Sequence, residues 1–299
     1  MAAFYYTLNI QQDFKHFFIT YPFLDFDNLL EKFLLFGGSE AFLELNLLCK
    51  DESQIILELA QSDIIEQIPF FLLDEPFRNI LVTLALSDAK LESTFIKSRV
   101  PLSFKEDILQ ELIEQKILYI EYSREEPLKS YAKQKIKKEL RHYLIQNKLR
   151  FTKPFYHFLF AFIIPFIKRD NTINIPKAQE RFVQSKNRLI SLWFEHLSKE
   201  LIKNYFQKVQ ECYSYWDRFS EFDIYAKVQE GKYLIGECKY THKPITKYEL
   251  IKLEAKIKKS DLKSDYIAFF SKAGYSKELK KLKRDDLLLF SLEDFKKLL

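Results

Sequence analysis

Glycine is scarce in this chain, and its scarcity excludes one class of enzyme. The 299 residues contain only five glycines. A P-loop needs glycines at fixed spacing before a Lys-Ser or Lys-Thr pair, because its backbone N–H groups must wrap around a nucleotide phosphate. No such spacing occurs in the sequence, which excludes an ATP site of this kind.

Cysteines and long apolar runs are also few. Cys49, Cys212 and Cys238 are odd in number and too far apart for a metal knuckle, which is typical of a reducing compartment and predicts a cytoplasmic protein. The most apolar segment, Phe155 to Ile167, has 13 residues, whereas a helix needs roughly 20 to cross a bilayer. We therefore expect a buried helix there and no membrane contact.

Charge is divided unequally along the chain. Residues 1–126 hold 10 Lys/Arg against 22 Asp/Glu, a net charge of −12, and residues 127–299 hold 37 against 20, a net charge of +17. A basic surface attracts polyanions, so the second half is the candidate polyanion-binding half. Lysines that only keep a helical surface soluble are the alternative. The acidic half is a candidate surface for a protein partner.

The first half is predicted to be helical. Residues 1–78 alternate apolar clusters with acidic residues at helical spacing. Residues 79–126 give three short helices and then the strand ILYIEY, which is the order of a winged-helix module. Ser103 is predicted to cap the third helix, with Glu106 completing a capping box. Because that helix is net acidic, a packing or protein-contact role is favoured over DNA binding.

A basic segment divides the chain. Residues 127–150 contain eight Lys/Arg and one Glu, and we interpret them as a connector, either a solvated helix or a positively charged arm. Residues 151–299 follow as a second domain with a long amphipathic helix, three short strands, a basic helix and a further strand. The predicted fold class is therefore α/β (α+β), with the order αβββαβ in this domain.

Four residues of the second domain are candidates for a metal site. Glu195 lies near the middle of the long helix, Asp223 lies inside the second strand, and Glu237 and Lys239 lie two residues apart in the third strand. Alternation along a strand puts Glu237 and Lys239 on the same face. A tight turn between the two strands would bring Asp223 towards this pair.

These residue types suit phosphodiester hydrolysis. Mg²⁺, or Mn²⁺ in its place, binds carboxylate oxygens and leaves room for waters and a phosphate. A lysine beside the ion can hold or deprotonate the attacking water and can neutralise charge that develops on the phosphorus. The alternative is that Glu237 and Lys239 form a surface ion pair and that Asp223 only caps the hairpin.

The helix after the third strand is strongly basic. Lysine contacts to phosphates do not depend on base sequence, so this helix would add affinity without specificity. The lysines predicted to contact DNA are Lys247, Lys252, Lys256, Lys258 and Lys259.

Several stretches resemble known families. FDIYAKVQEGKYLIGECKYTHKPI resembles the strand pair of the PD-(D/E)XK nuclease superfamily and is most similar to DUF234, a domain at the carboxyl end of archaeal-type ATPases. LWFEHLSKELI resembles the helix whose glutamate precedes those strands, and Phe222-Asp223 takes the place of the superfamily's Pro-Asp. LLDEPFRNILVTLAL resembles the winged helix before DUF234, and LEKFLLFGGSEAFLELN resembles the lid of those ATPases.

The resemblance implies a restriction-endonuclease-like domain over residues 151–299. It implies Asp223, Glu237 and Glu195 as metal ligands and Lys239 as the catalytic lysine, with an ATPase on another chain as a candidate partner. The function expected is a Mg²⁺- or Mn²⁺-dependent DNA nuclease. The alternative is a non-catalytic nucleic-acid-binding or protein-interaction module that keeps the nuclease fold, because a fold by itself does not fix a function.

Overall fold

The computed structural model of the chain describes residues 9–22, 24–38, 52–61, 68–128, 131, 133–140, 143, 145–168 and 172–299. The lid-like stretch is described as far as Gly38, and its remainder lies outside the described residues.

The chain divides into two compact units that do not follow its linear order. The first unit comprises Met1–Tyr119, Leu149–Leu201 and Asp294–Leu299, and the second comprises Ile120–Lys148 and Ile202–Glu293. This division differs from the boundaries expected at residues 78, 126 and 150. The long helix predicted for the second domain therefore lies mostly in the first unit, and the basic connector lies mostly in the second.

The first unit is built from helices. Phe14 and Phe33 are fully buried at its centre, with ring centroids 4.9 Å apart. A run of three helices and a strand occurs where the sequence predicts it, although the winged-helix arrangement stays a prediction. The described elements are α1 (Ile10–Thr20), α2 (Phe26–Phe36), α3 (Glu52–Gln61), α4 (Phe77–Ala85), α5 (Leu91–Ser98), α6 (Lys105–Glu114) and β1 (Leu118–Glu121), which pairs with β2 (Lys148–Phe151).

The start of α6 differs from the sequence prediction. Leu102–Phe104 forms a 3₁₀ turn, and α6 begins after it with Phe104 at the N-cap position and no side-chain capping bond. The Ser103–Glu106 capping box is therefore wrong, because Ser103 lies inside the turn instead of at the helix boundary.

The most apolar segment forms a buried helix, as predicted. It begins as α7 (Pro154–Phe158), continues as a π-helix at Leu159–Ile163 and ends as a 3₁₀ turn at Ile164–Phe166. Phe158 contacts Phe36 of α2, with ring centroids 4.8 Å apart. These contacts place the segment in the first unit. A search of the described residues finds no helix with the length and apolar character needed to cross a membrane.

The long amphipathic helix is α8 (Ile175–Tyr205), which has 31 residues. Its Phe182 packs against Phe158 and Phe162, with ring centroids 6.0 and 5.2 Å away. The apolar stripe of α8 thus completes the core of the first unit.

The second unit contains a five-stranded mixed sheet with the order β3-β4-β5-β6-β7. The first three strands are antiparallel, and the last two join in parallel. The predicted strands and the basic helix are confirmed, and the terminal helix is of the 3₁₀ type, at Leu292–Leu298. The elements are β3 (Glu211–Trp216), β4 (Glu221–Lys227), β5 (Tyr233–Lys239), α9 (Lys247–Ser260), β6 (Tyr266–Ser271), α10 (Lys277–Lys280) and β7 (Leu287–Ser291).

Helix α9 packs on the sheet through its apolar side. Leu250 and Leu253 of the helix join Ile235 and Phe269 of the strands in one buried cluster. This packing fixes the rotation of the helix about its own axis, and therefore decides which of its lysines lie beside the strand ends.

The turn between β4 and β5 is as tight as predicted. It is a short 3₁₀ turn at Gln229–Gly231, in which Glu230 has φ 60° and Gly231 has φ 71°. Glycine adopts such backbone angles at little cost, which makes it suitable for the second position. The turn sets the pairing of β4 with β5 and hence the site described below.

Candidate functional site

The structure brings Asp223, Glu237 and Lys239 together at one end of the sheet in the second unit. Ile224 and Gly236 form the last pair of β4 and β5 before these residues. A Cβ atom added to Gly236 would lie 3.1 Å from the Ile224 Cβ atom, so the glycine permits a close approach of the strands here. Asp223 comes directly before Ile224 on β4, and Glu237 comes directly after Gly236 on β5, so both lie beyond this pair at the same end of the sheet.

Asp223 is half-buried and is bonded to the neighbouring strand. Its Oδ2 atom accepts the backbone N–H of Cys238 at 2.8 Å. Burial, followed by the negative charge of Glu237, raises the pKa of Asp223 to about 6, although the Cys238 bond and the charge of Lys239 act in the opposite direction. A carboxylate whose ionisation is opposed by a neighbouring carboxylate is a place where a bound cation is stabilised.

Two lysines lie beside Glu237. The Lys239 Nζ atom is 2.5 Å from Glu237 Oε1, and the Lys256 Nζ atom is 4.0 Å from Glu237 Oε2. Burial favours the neutral form of Lys239, but the charge of Glu237 and the bond to it outweigh burial, and the pKa of Lys239 is raised. Lys239 is therefore an ammonium group at neutral pH.

A cavity of about 340 Å³ opens beside these groups. This volume lies at the lower end of the range for small-ligand sites. Three lysines and two glutamates give its lining a small positive excess, which suits an anionic ligand. The cavity is lined by Glu237, Lys239, Glu249, Lys252, Leu253, Lys256 and Phe269.

The lysines predicted to contact DNA are divided between two sides of α9. Lys252 and Lys256 line the cavity. Lys247 and Lys258 lie roughly 180° around the helix from Lys256, at 100° per residue, and both are exposed. Lys259 is exposed and lies roughly 60° around the helix from Lys256, but it does not line the cavity. The structure thus brings two of the five to the site.

Glu195 and the other three predicted site residues belong to different compact units. Glu195 is a half-buried residue of α8 in the first unit, whereas Asp223, Glu237 and Lys239 belong to the second unit. Within the described ranges, no three His, Cys, Asp or Glu side chains form a group that could hold a metal ion. A supporting role for Glu195 stays a prediction.

The end of the basic connector contacts the β3–β4 hairpin. Trp216 Nε1 donates to the Gln146 carbonyl oxygen at 2.8 Å, and Lys148 Nζ lies 2.5 Å from Glu221 Oε1. These contacts attach the end of the connector to the β3–β4 hairpin, and the form of the rest of the connector stays a prediction. The sequence gives no signal for this packing, because the contacts join residues about 70 positions apart.

Comparison with protein families supports one part of the predicted resemblance. Residues 159–258 match the model of DUF234, described as archaea bacterial proteins of unknown function. The matched stretch covers about a third of the chain and contains β4, β5 and most of α9. Searches of curated proteins and of solved structures give no significant match. The second unit is a mixed-sheet α+β structure, and the DUF234 match covers part of this unit and part of the first.

Proposed function

We propose that this protein is a metal-dependent nuclease that hydrolyses phosphodiester bonds of DNA at Asp223, Glu237 and Lys239. One observation carries the proposal. Two carboxylates are close enough for the charge of Glu237 to raise the pKa of Asp223, and they lie beside a protonated lysine and a lysine-lined cavity. A carboxylate such as Asp223, whose pKa is strongly shifted by burial and by a charged neighbour in a cleft, is typical of catalytic sites.

The donor set fits Mg²⁺ or Mn²⁺. Asp223 and Glu237 provide the hard oxygen ligands that these ions bind. A bound ion would polarise the phosphate and lower the pKa of a water molecule. The Cys238 N–H holds the Asp223 carboxylate in one orientation, which reduces the entropy lost on binding the ion.

Lysine side chains provide the positive charges that the proposed chemistry needs in addition to the metal. Because the pKa of Lys239 is raised, Lys239 would act as a cation that orients water and neutralises charge on the phosphate, and not as a general base. Lys252 and Lys256 would hold the phosphate backbone from the other wall of the cavity.

Metal binding is the first test. Titration calorimetry with Mg²⁺ and Mn²⁺ should detect binding to the wild type and none to the Asp223→Ala, Glu237→Ala double variant. Metal binding that survives in the double variant would show that these carboxylates are not the ligands.

Cleavage is the second test. Lys239→Ala should reduce DNA cleavage on the order of 100-fold or more, the usual effect of removing a group that stabilises transition-state charge. DNA binding should be largely retained, and Lys258→Ala, on the far side of α9, is the matched control. If Asp223→Ala cleaves DNA as fast as the wild type, the proposed site is wrong.

A second candidate is a nucleic-acid-binding module without catalysis. It is favoured by the ion pairs of Glu237, because Lys239 and Lys256 already neutralise part of the charge that would attract a metal. This candidate predicts salt-sensitive DNA binding that does not depend on metal and survives alanine substitution of Asp223, Glu237 and Lys239.

A further inference from the structure

The tip of the β3–β4 hairpin carries a highly exposed aromatic residue. The side chain of Phe219 is 83% exposed, the largest fraction among the large hydrophobic residues in the described ranges. Single exposed apolar residues are common on protein surfaces, so exposure alone indicates no function. The hydrogen bonds of the turn, its position in the sheet and its neighbouring charges have to be considered together with this exposure.

The backbone that carries Phe219 is held in one conformation. Asp217 Oδ1 accepts the N–H groups of Phe219 and Ser220 at 2.7 and 2.6 Å, and the Asp217 N–H donates to the Ser220 carbonyl oxygen at 2.9 Å. The Tyr215 hydroxyl donates to Asp217 Oδ2 at 2.9 Å. The ring is therefore presented to solvent from a fixed turn.

The residues that flank Phe219 are also fixed by side-chain contacts. Arg218 Nε lies 2.6 Å from Glu125 Oε1, and the Glu125 side chain is only 5% exposed. The Tyr143 hydroxyl donates to Glu125 Oε2 at 2.5 Å, and Lys148 pairs with Glu221 at the start of β4. A ring held in this way loses little conformational freedom when it binds a ligand.

The hairpin tip lies at the same end of the sheet as the candidate site. Phe219 is two residues before β4, and Asp223 is the third residue of that strand. They are four positions apart, so at 3.3 Å per residue their backbones are separated by at most roughly 13 Å, a span of a few nucleotides. Because β5 runs antiparallel to β4, its last residue, Lys239, also lies at this end of the sheet.

The surroundings of Phe219 favour nucleic acid over an apolar protein surface. The neighbouring residues in the turn are polar or charged, and the guanidinium of Arg218, which is also paired with Glu125, lies 5.4 Å from the Phe219 ring centroid. Aromatic rings beside basic groups are typical of surfaces that bind single strands, on which nucleobases stack. A protein-docking surface would need a larger contiguous apolar patch.

We propose that Phe219 stacks on an unpaired nucleobase of the DNA strand bound at Asp223, Glu237 and Lys239, so that the preferred substrate is single-stranded or locally unpaired. This inference rests on the proposed function, because it takes the same strand to occupy the cavity. Bases inside a duplex already stack on each other and leave no free face for the ring.

Fluorescence anisotropy with labelled single-stranded and duplex oligonucleotides, in the presence of a chelator that prevents metal-dependent cleavage, tests the inference. Phe219→Ala should weaken single-strand affinity roughly 5- to 100-fold, the effect of losing one stacked base, and should change duplex affinity less. Phe219→Trp should restore affinity. Phe70→Ala is the matched control, because Phe70 is 76% exposed but lies in the first unit.

The salt dependence separates stacking from electrostatics. Loss of an aromatic ring releases no counterions, so Phe219→Ala should lower single-strand affinity without changing the slope of log affinity against log salt. Equal single-strand affinity in wild type and Phe219→Ala, in a protein that still cleaves DNA, would overturn this inference and leave the proposed function standing. A wild type that neither binds nor cleaves DNA would overturn both.

Discussion

The raised pKa of Asp223 has a measurable consequence for stability at the scale of single residues. An aspartate whose pKa is about 6 in the folded chain, above its ordinary value of 3.8, holds its proton more tightly when folded. Its contribution to stability therefore falls as the pH rises from about 4 to about 6 and stays low above that range.

Asp223→Asn should accordingly stabilise the protein at pH 8, by about 1–3 kcal/mol, and have little effect at pH 4. Asparagine keeps an oxygen that can accept the Cys238 N–H. Urea unfolding of both proteins at the two pH values measures the difference. Asp285→Asn, at an exposed position of the same unit, should change neither value. A destabilised Asp223→Asn at pH 8 would contradict the assigned burial and repulsion.

The same proton should compete with the proposed metal. Because Asp223 has to be ionised to bind Mg²⁺ or Mn²⁺, the dissociation constant should rise about tenfold for each pH unit below about 6 and become constant above about 7. Titration calorimetry across this range provides the measurement. A dissociation constant that does not vary between pH 5 and 7 would mean that Asp223 is not a ligand.

The sequence predicted part of this site and missed the rest for a physical reason. Strand alternation and the tight turn were enough to predict that Asp223 and the Glu237–Lys239 pair converge. They did not predict the contact of Lys256 with Glu237 or the cavity wall at Phe269. Both features depend on how α9 is rotated about its axis on the sheet. The number of lysines in the helix does not determine that rotation.

At the scale of elements, the β3–β4 hairpin should depend on Glu125. Glu125→Ala would leave Arg218 and the Tyr143 hydroxyl without their acceptor. Because Arg218 is itself 20% exposed, we expect a loss of about 2–3 kcal/mol, somewhat below the cost of breaking a fully buried pair. Chemical denaturation measures this loss.

An exposed ion pair provides the control for that substitution. Lys90 and Asp88 form a pair in which both side chains are nearly half exposed, so Lys90→Ala should cost less than about 1 kcal/mol. If Glu125→Ala is as mild as Lys90→Ala, the contacts at Glu125 do not hold the hairpin.

Elements with a clear period were predictable, and long-range packing was not. The strands of the sheet, α8 and α9 follow from apolar spacing of 2 or 3.6 residues. The Ser103 cap failed because a 3₁₀ turn shifts the start of α6, which a capping pattern does not reveal. The contacts of Gln146 and Lys148 with the hairpin were not predictable, because lysine-rich composition describes a solvated segment and a packed one equally well.

The charge asymmetry of the whole molecule should appear in the salt dependence of DNA binding. Lys252→Ala and Lys256→Ala, which alter the cavity, should each reduce the slope of log affinity against log salt by about 1. Lys258→Ala, on the other side of α9, should reduce it less. Anisotropy titrations at several salt concentrations measure the slopes. Equal slopes for all three variants would indicate that DNA is attracted by the overall positive charge and does not contact Lys252 and Lys256 specifically.

The division into two units was beyond sequence reasoning at this scale. Composition changes at residue 127, but the apolar segment after it packs with the amino-terminal helices, and residues 120–148 belong with the sheet. Net charge and hydropathy vary along the chain, whereas the units are defined by contacts between distant segments.

The tight turn at Gln229–Gly231 also bears on how relatives of this protein can be recognised. It fixes 13 residues between Asp223 and Glu237. One added or deleted residue would slip the register and move Glu237 and Lys239 to the opposite face of the sheet. Homologues that use this site should therefore keep that interval constant while the turn residues vary, so the length of the interval is a stronger search criterion than its letters.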